Sequence, residues 1–417
     1  MPRRLNTALV LNAVRLAAPA GQRIAELVAA TGLARPTVAL AVEDLVAEGL
    51  LVPSTPSQEG GLGRPAVRVQ LAGSAAHVLG VDLGVHSVAV AVADLTGRWL
   101  ALVREPVAAD GSGPADDGTD AMLRALSTAV DGALSEAGLG VDAVAGLTVG
   151  TPGIVDAEGR ISFAGARGQW SSMALLEQLE ATFRAPLRLE NNANLVASAV
   201  YASQVSPPHT LLAVQWGERL GAGIVIDGVV HRGATAAAGE IGYVSPRGAP
   251  VRIGMAEQGP LEARIGTAGI VARAAAAAAD VPTSALHPLL SGTRGAADAA
   301  LVFEAAAGGD ETARSVVAEV AEVFAAAIAP VVLALNPDAL VIGGGIARAG
   351  SLLTEAIQVR LDRLTLHSPR VELSTLAQDA VVTGAVQVAR EDLWRRLLAT
   401  DDERVDLLRE PRVSLAR

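Results

Sequence analysis

The 417-residue chain contains no cysteine and no lysine. Without cysteine it has neither a disulfide framework nor a thiolate-bound metal site, and without lysine it has no lysine nucleophile or Schiff base. Aromatic residues make up only 2% of the chain, and no run of 18 or more purely apolar residues predicts a transmembrane span. We therefore expect a cytoplasmic protein that has no metal site and no membrane partner.

Charge is distributed unevenly along the chain. The net charge is −11, yet residues 1–71 contain 7 Arg and 5 acidic residues, whereas the remainder contains 26 Arg and 39 acidic residues. Hydrophobic residues make up 51% of the chain, and its length predicts two or three domains. The acidic remainder confines any nucleic-acid binding to the N-terminal piece.

The N-terminal piece predicts three helices followed by a hairpin. An amphipathic helix is expected over 5–17, a second begins near Gln22, and a third follows "TGLARP" and runs to about Glu48. The apolar stretches "LLVPS" and "AVRVQL" then flank the Gly- and Pro-rich "TPSQEGGLGRP", which predicts a hairpin with a long tip. Together these elements predict a winged helix-turn-helix over residues 1–72.

Candidate DNA contacts lie on the third helix and on the wing. Arg35 and Thr37 open the third helix, where a recognition helix meets base edges. Leu40, an outward residue of the same helix, weakens the case for polar base readout, although an apolar group can contact thymine methyl groups. Arg64 and Arg68 on the wing suit phosphate or minor-groove contacts. The alternatives are a solvated helix start and an ordinary exposed hairpin.

The rest of the chain predicts an α/β body. Two strands are expected at 78–83 and 87–93, and further strands in "VAGLTVGTPGIVD", "LRLEN" and "DALVIGGGIA". Helices are expected at about 120–137, 266–279 and 312–329, and strands that alternate with helices indicate an α/β fold. The strand pair within 210–231 is expected to repeat the pair at 78–93.

Six motifs in order, together with the winged helix, resemble the ROK (repressor, open reading frame, kinase) family in its transcriptional-regulator branch. They are "GVDLG", "VGTPGIVD", "LENNAN", "GAGIVIDG", "AAAGEIGY" and "LNPDALVIGGG". The resemblance implies an actin/hexokinase-like (ribonuclease H-like) fold of two lobes with a sugar cleft between them, in a dimer or higher oligomer. The lobes are expected at 77–200 and 201–390, with the C-terminal helices returning to the first lobe and a tail at 391–417.

The chain departs from the family's kinases at the catalytic positions. The aspartate that takes the sugar hydroxyl's proton is replaced by Asn192, and an amide cannot act as a general base. In the first phosphate loop Val85 replaces a small residue, and in the second loop Glu218 and Arg219 replace small ones. We therefore expect no catalytic residue and no cofactor.

The family's zinc motif is also missing. Its cysteine-rich stretch corresponds here to Glu257–Glu262, and Tyr243 stands where the family supplies a histidine, so no zinc is expected. Asp82 would serve Mg²⁺ and phosphate in a kinase, and here we expect it to cap a turn.

The resemblance carries a set of ligand-contacting positions onto this sequence. They are Gly153, Asn191, Asn192, Glu240, Tyr243 and Glu262. Two have alternatives, since Asn191 is also a typical helix cap and Tyr243 could simply pack against its neighbours.

Three hypotheses follow. The first is a DNA-binding transcriptional regulator, a repressor that binds double-stranded operator DNA as a homodimer or tetramer and senses a sugar or sugar derivative in the cleft. The second is an ATP-dependent sugar kinase with a DNA-binding head. The third is a ligand-independent dimeric regulator.

Overall fold

A computed structural model gives the fold of the chain. It describes residues 2–54, 68–84, 86–107, 119–156, 158–163, 172–246, 258–287 and 299–399. Three residues considered above, Arg64, Val85 and Glu257, lie outside the described residues.

The N-terminal region is a winged helix-turn-helix, as predicted. Its elements are α1 Pro2–Ala17, β1 Gln22–Arg23, α2 Ile24–Thr31, α3 Arg35–Ala47, β2 Leu51–Ser54 and β3 Arg68–Leu71. The second helix, expected from near Gln22, begins at Ile24, because Gln22 and Arg23 pair with β3 in a sheet of order β1-β3-β2. The carboxylate of Glu26 accepts the backbone N–H of Arg23 at 2.8 Å, which starts α2 one residue later.

The first lobe is a five-stranded sheet with helices. Its elements are β4 His77–Leu83, β5 Ser87–Asp94, β6 Trp99–Pro106, α4 Thr119–Ala137, β7 Val144–Thr151, β8 Ile154–Val155, β9 Ile161–Phe163, α5 Ser172–Thr182, β10 Leu187–Asn191 and α6 Asn192–Ser203. The strand order is β10-β7-β4-β5-β6. Strand β6 was not predicted, because its outer half carries charged residues and only Ala101 is fully buried.

The second lobe repeats this arrangement. Its elements are β11 Thr210–Trp216, β12 Leu220–Ile226, β13 Val229–Val230, α7 Pro260–Ile265, α8 Thr267–Ala278, α9 Ala299–Ala307, α10 Glu311–Leu335, β14 Ala339–Gly343, α11 Ser351–Leu364 and β15 Arg370–Leu373, followed by α12 Ala380–Leu397. The strand order is β13-β12-β11-β14-β15.

The two sheets have one topology. In each, the first strand pairs antiparallel with the next strand in sequence and parallel with a strand that follows later: β4 with β5 and β7, and β11 with β12 and β14. The predicted repeat is therefore confirmed, although its two copies show little sequence similarity.

Helix α10 is the core helix of the second lobe. It is long and apolar enough to pass a composition test for a membrane span, but its apolar side chains pack against the sheet. Phe324 stacks on Trp216 with ring centroids 4.5 Å apart, and the indole N–H of Trp216 donates to the carbonyl of Ile265 at 2.7 Å. Its apolar character therefore reflects burial in the lobe.

The last helix, α12, joins the parts of the molecule. It packs against α6, β4 and β7, and at Gly384 its backbone approaches the carbonyl oxygen of Leu195 so closely that a Cβ would overlap that atom. Further along, Leu393 and Trp394 enter the same hydrophobic core as Leu11 and Val14 of α1. The winged helix and the first lobe therefore share one core, and α12, which ends at Leu397, includes the start of the predicted tail.

The close packing at Gly384 predicts a large loss of stability when a side chain is added there. Gly384→Ala should lower the free energy of unfolding by about 1–3 kcal/mol, the usual cost of overpacking, measured by denaturant unfolding. The matched control is Gly140→Ala, because a Cβ at Gly140 meets open space. Equal stability of the two variants would show that α6 and α12 do not pack this tightly.

Candidate ligand-binding cleft

A cavity of about 450 Å³ lies between the two lobes. The first lobe contributes the end of β4, the loop after β7 and the junction of β10 with α6. The second lobe contributes the turn between β11 and β12, the segment 239–243, α7 and the glycine turn after β14. Both lobes therefore supply polar groups to one site.

The structure brings the predicted ligand positions together. All six of them line this cavity, namely Gly153, Asn191, Asn192, Glu240, Tyr243 and Glu262. They come from segments up to about a hundred residues apart in sequence. Their contact with a ligand stays a prediction.

Asn191 caps helix α6. Its Oδ1 accepts the backbone N–H groups of Ala193 at 2.8 Å and Asn194 at 3.3 Å, and its Nδ2 donates to the carbonyl of Gly153 at 2.7 Å. Gly153 adopts a φ of 113°, a conformation that favours glycine. The capping alternative for Asn191 is therefore correct, and the same bonds fix the loop that carries Gly153 at the edge of the cavity.

Asn192 begins α6 and lines the cavity. Its Oδ1 is buried and has no hydrogen-bond partner among the described residues, and it lies beside Gly150 of β7, where a Cβ would come within 2.7 Å. Any residue larger than glycine at 150 would therefore push Asn192 away. The amide of Asn192 has no basic lone pair near neutral pH, so Asn192 itself cannot act as a general base in the cavity.

Glu240, Tyr243 and Glu262 form an acidic subsite in the second lobe. Glu262 is 5% exposed, and its Oε2 accepts the backbone N–H of Leu220 at 2.9 Å. Its Oε1 lies 3.6 Å from Nη1 of Arg219 and has no partner at hydrogen-bond distance among the described residues, but the side chain of Gln258 lies near enough to the carboxylate to oppose the rise in its pKa. Burial raises the pKa of Glu262, and burial together with the charge of Glu262 raises the pKa of Glu240.

The two phosphate loops of the resemblance contact each other directly. Nε2 of His86, in the first lobe, lies 3.0 Å from Oε1 of Glu218, in the second lobe. Both residues line the cavity, and both side chains remain substantially exposed. Sequence reasoning recognised Glu218 as foreign to a phosphate loop but missed its partner, because 132 residues separate the two.

Glu190 is a residue that sequence reasoning missed. It is 3% exposed and accepts hydrogen bonds from Asn194, from Arg232 of the second lobe, and from Arg188, which also contacts Asp392 of α12. Burial opposes its ionisation, but the hydrogen bonds and charge of Arg232 outweigh burial and lower the pKa of Glu190. A buried carboxylate thus ties the cleft wall to both lobes and to α12. The sequence did offer a signal for this residue, because Glu190 is the acidic residue of the motif "LENNAN".

Asp82 is the penultimate residue of β4 and lines the cavity. Burial raises its pKa to about 7, against the opposing charge of Arg104. Its carboxylate accepts no hydrogen bond from a described residue, and because the following turn includes Val85, which lies outside the described residues, the turn-capping role stays a prediction.

The candidate DNA contacts have different environments. Arg35 and Leu40 are exposed on α3, with Leu40 47% exposed, while Thr37 is partly buried in the first turn. Arg68 donates to the carbonyl of Gly21 and to Glu26, so its charge is already engaged. Arg3 is paired with Asp44 of α3 at 2.6 Å.

A winged helix joined to two lobes of repeated topology, with a polar cleft between them, defines an actin/hexokinase-like protein with an N-terminal DNA-binding fold. The sequence pattern of the ROK family matches residues 78–392. The chain belongs to the ROK family, in the arrangement of its transcriptional-regulator branch.

Relatives of both functional kinds are found. A glucokinase of Halalkalibacterium halodurans is 28% identical over 316 residues, covering 73% of this chain and 92% of the relative. A xylose repressor of Caldicellulosiruptor bescii is 24% identical over 378 residues, covering 87% of this chain and 90% of the relative.

Two solved structures that match this fold are likewise a regulator and a kinase. A ROK family transcriptional regulator, a homolog of the E. coli MLC protein, has a TM-score of 0.74 at 23% identity over 95% of this chain and 98% of its own. A glucokinase from Streptomyces griseus in complex with glucose and AMPPNP has a TM-score of 0.63 at 26% identity over 76% of this chain and 99% of its own. The matches to regulators span more of the chain than the matches to kinases.

The raised pKa of Asp82 predicts how its replacement changes stability with pH. Because the folded pKa of about 7 lies above the ordinary value, stability present at low pH is lost as pH rises through about 7. Asp82→Asn should therefore gain stability relative to the unmodified chain between about pH 4 and pH 8, on the order of 2 kcal/mol after allowance for partial exposure.

Denaturant unfolding across this pH range measures the effect. The control is Asp156→Asn, which should lose stability by an amount that stays constant across this range, because the backbone N–H of Arg160 lowers the pKa of Asp156 below its ordinary value of 3.8. A difference for Asp82→Asn that does not change with pH would mean that Asp82 ionises normally.

Proposed function

We propose that this protein is a DNA-binding transcriptional regulator, a repressor, that senses a sugar or sugar derivative in the interlobe cleft and does not transfer phosphate. One observation carries the proposal. The winged helix shares a hydrophobic core with α12 of a ROK body, and in the cleft of that body Asn192 replaces the general base.

The winged helix supports DNA binding. Its recognition helix α3 exposes Arg35 at the first turn and Leu40 one turn further on, on a piece of chain whose arginines outnumber its acids. Arg35 can donate to a guanine edge or a phosphate, and Leu40 can contact thymine methyl groups. The pair of Arg3 with Asp44 holds α1 against α3 and neutralises an acid on the reading helix.

A continuous packing route connects the cleft to the winged helix. Helix α6 begins at Asn192 in the cleft and packs along α12, and the guanidinium of Arg15 on α1 lies 5.7 Å above the ring of Trp394 on α12. A ligand that binds the open and the closed arrangement of the lobes with different affinity would shift α12 and, with it, the winged helices.

The phosphate side of the cleft argues against kinase chemistry. Glu218 places a carboxylate in the loop that would face phosphate, and its bond to His86 links the two phosphate loops. An incoming triphosphate would have to break this contact and would be repelled by Glu218. Loss of the general base and obstruction of the phosphate side are independent changes.

An exposed apolar surface on the second lobe supports self-association. Leu352 and Val359, seven residues apart on one face of α11, are 36% and 49% exposed, and Leu333 of the adjacent α10 is 51% exposed. We propose that this surface joins two copies, which would present two winged helices to a pseudo-palindromic operator in the cytoplasm.

A sugar kinase is the second candidate, because the glucokinase relative covers 73% of the chain. Restoring the carboxylate distinguishes the two. Asn192→Asp should not produce sugar-dependent ADP formation in a coupled assay with Mg-ATP, since His86 and Glu218 still block the phosphate loops.

The unmodified chain and the double variant Asn192→Asp with Glu218→Gly are run beside it. Sugar-dependent turnover by the unmodified chain would establish the kinase and reject the proposal that this protein does not transfer phosphate. Turnover in the double variant alone would support the separate loss of the general base and of an open phosphate loop.

DNA binding is tested with operator sequences selected from a random duplex library by the purified chain. Arg35→Ala should weaken binding to the selected duplex by about tenfold or more, in line with about 1–3 kcal/mol for a base contact. The control Arg370→Ala removes an exposed arginine from β15 of the second lobe and should bind normally. Failure to select any duplex would reject the regulator.

The same duplex tests the sensor. A sugar panel should contain at least one member that changes the affinity for DNA and raises the melting temperature of the free protein. Selected DNA with no response to any sugar would favour the ligand-independent regulator instead.

A further inference from the structure

A second cavity, of about 410 Å³, lies on the second lobe and shares none of its described lining residues with the interlobe cleft. It is a groove between the outer strand β15, its neighbour β14, and the end of α6 with the segment that follows. Arg370 and Glu372 of β15 lie opposite Ala339 and Val341 of β14, which belong to the same core as α6. Because side chains alternate along a strand, both charged residues lie on the face of the sheet that carries α6.

The first lobe contains the counterpart of this groove. Strand β10 is the outer strand there, in the place that β15 has in the second sheet. Both strands carry an arginine and a glutamate two residues apart, and each arginine contacts its glutamate: Arg188 with Glu190 at 3.1 Å, and Arg370 with Glu372 at 3.4 Å. Arg188 has a further partner, since Asp392 of α12 lies 3.2 Å from it. In the first lobe, α12 therefore covers this place and supplies an acid to the arginine.

Helix α6 ends too early to do the same in the second lobe. Each of the two helices follows the last strand of its lobe, and they cross where Gly384 of α12 meets Leu195 of α6. Asp392 lies eight residues beyond this crossing on α12, and Ser203 lies eight residues beyond it on α6. Helix α12 continues to Leu397, whereas α6 ends at Ser203, which lines the groove. The turn of helix that covers the first groove therefore has no equivalent within α6.

The sequence after α6 explains this early end. Pro207 and Pro208 follow closely, and proline lacks a backbone N–H and disfavours the helical conformation in the residue before it. Gln204 accordingly has an extended backbone, with a φ of −74° and a ψ of 129°. Val205 is left fully exposed beside the groove, and the side chain of Arg370 is 65% exposed. An apolar side chain and a cation are therefore available to a partner.

We propose that this groove binds a helix of a partner protein, and that the helix presents an aspartate or glutamate to Arg370. A helix covers the counterpart groove, so the space beside the end of α6 suits one or two turns of helix. Arg370 has one ion pair in the described part of the chain, with Glu372, whereas Arg188 has two acids. The partner's carboxylate would take the place of the second acid, and its apolar side chains would cover Val205. The inference depends neither on sugar sensing nor on DNA binding.

A library of helices tests the groove with defined probes. The full chain is panned against phage that display helices of about 15 residues in a fixed scaffold, because shorter isolated helices are marginal in water. Enriched helices should share an aspartate or glutamate with apolar residues three and four positions away, on the same helical face. Their affinity for the full chain, measured by fluorescence anisotropy, should fall at least about tenfold when the shared acid is changed to its amide.

Two variants assign the binding to the groove. Arg370→Ala should weaken binding of the enriched helices at least about tenfold, as expected for loss of one member of a desolvated charge pair. Ser206→Trp should weaken it as well, because Ser206 lines the groove and a large side chain there would fill it. The control Arg314→Ala removes an exposed arginine that pairs with Glu311 on α10, and it should bind normally. All three changes affect exposed side chains, so the melting temperatures should agree.

The outcomes decide the inference separately from the proposed function. Failure to enrich any helix that loses affinity in Arg370→Ala would overturn it. Weakening by Ser206→Trp without weakening by Arg370→Ala would overturn it too, because the groove would then bind apolar groups without recognising an acid. DNA binding is measured in the same Arg370→Ala protein. Weaker helix binding with normal DNA binding supports the inference, whereas loss of both would indicate a general defect and overturn it.

Discussion

The architecture depends on how closely α12 can approach α6. Gly384 permits contact with the backbone of Leu195, and this contact places one helix against the wall of the cleft and against the central strands β4 and β7. The far end of the same helix carries Leu393 and Trp394 into the core beneath α1. Because protein interiors are packed without slack, a movement of α6 must be followed by α12. One helix, α12, therefore spans the distance between the cleft and the winged helix.

The buried carboxylate of Glu190 also connects the cleft to α12. Glu190 is held by Arg232 from the second lobe and by Arg188, which also contacts Asp392 of α12. A buried carboxylate with several donors tolerates only a narrow range of arrangements, since loss of one partner leaves charge without compensation. The position of the second lobe is therefore coupled electrostatically to α12, in parallel with the coupling through packing. A ligand that closes the lobes would act on both connections at once.

Local sequence patterns predicted the winged helix, both strand pairs and the repeat between lobes, because turn residues and apolar periodicity specify such elements directly. Strand β6 was missed, since its charged outer half hides the alternation. The start of α2 was predicted to within two residues, because pairing with β3 takes up Gln22 and Arg23. The cavity lining followed from motif positions. Contacts across the cleft could not be predicted, since His86 with Glu218, and Glu190 with Arg232, are brought together only by the fold.

The two sides of the cleft differ in how their charged groups are paired, and this difference bears on the proposed sensing function. On the side of the phosphate loops, His86 and Glu218 satisfy each other and leave little demand for a ligand. On the opposite side, Glu240 and Glu262 are largely buried carboxylates that line the cavity, and burial raises the pKa of both. A cleft whose phosphate side is closed by the contact between His86 and Glu218 should select a small ligand without a phosphate donor. Binding energy that a kinase would direct to the transition state then remains available to shift the lobes.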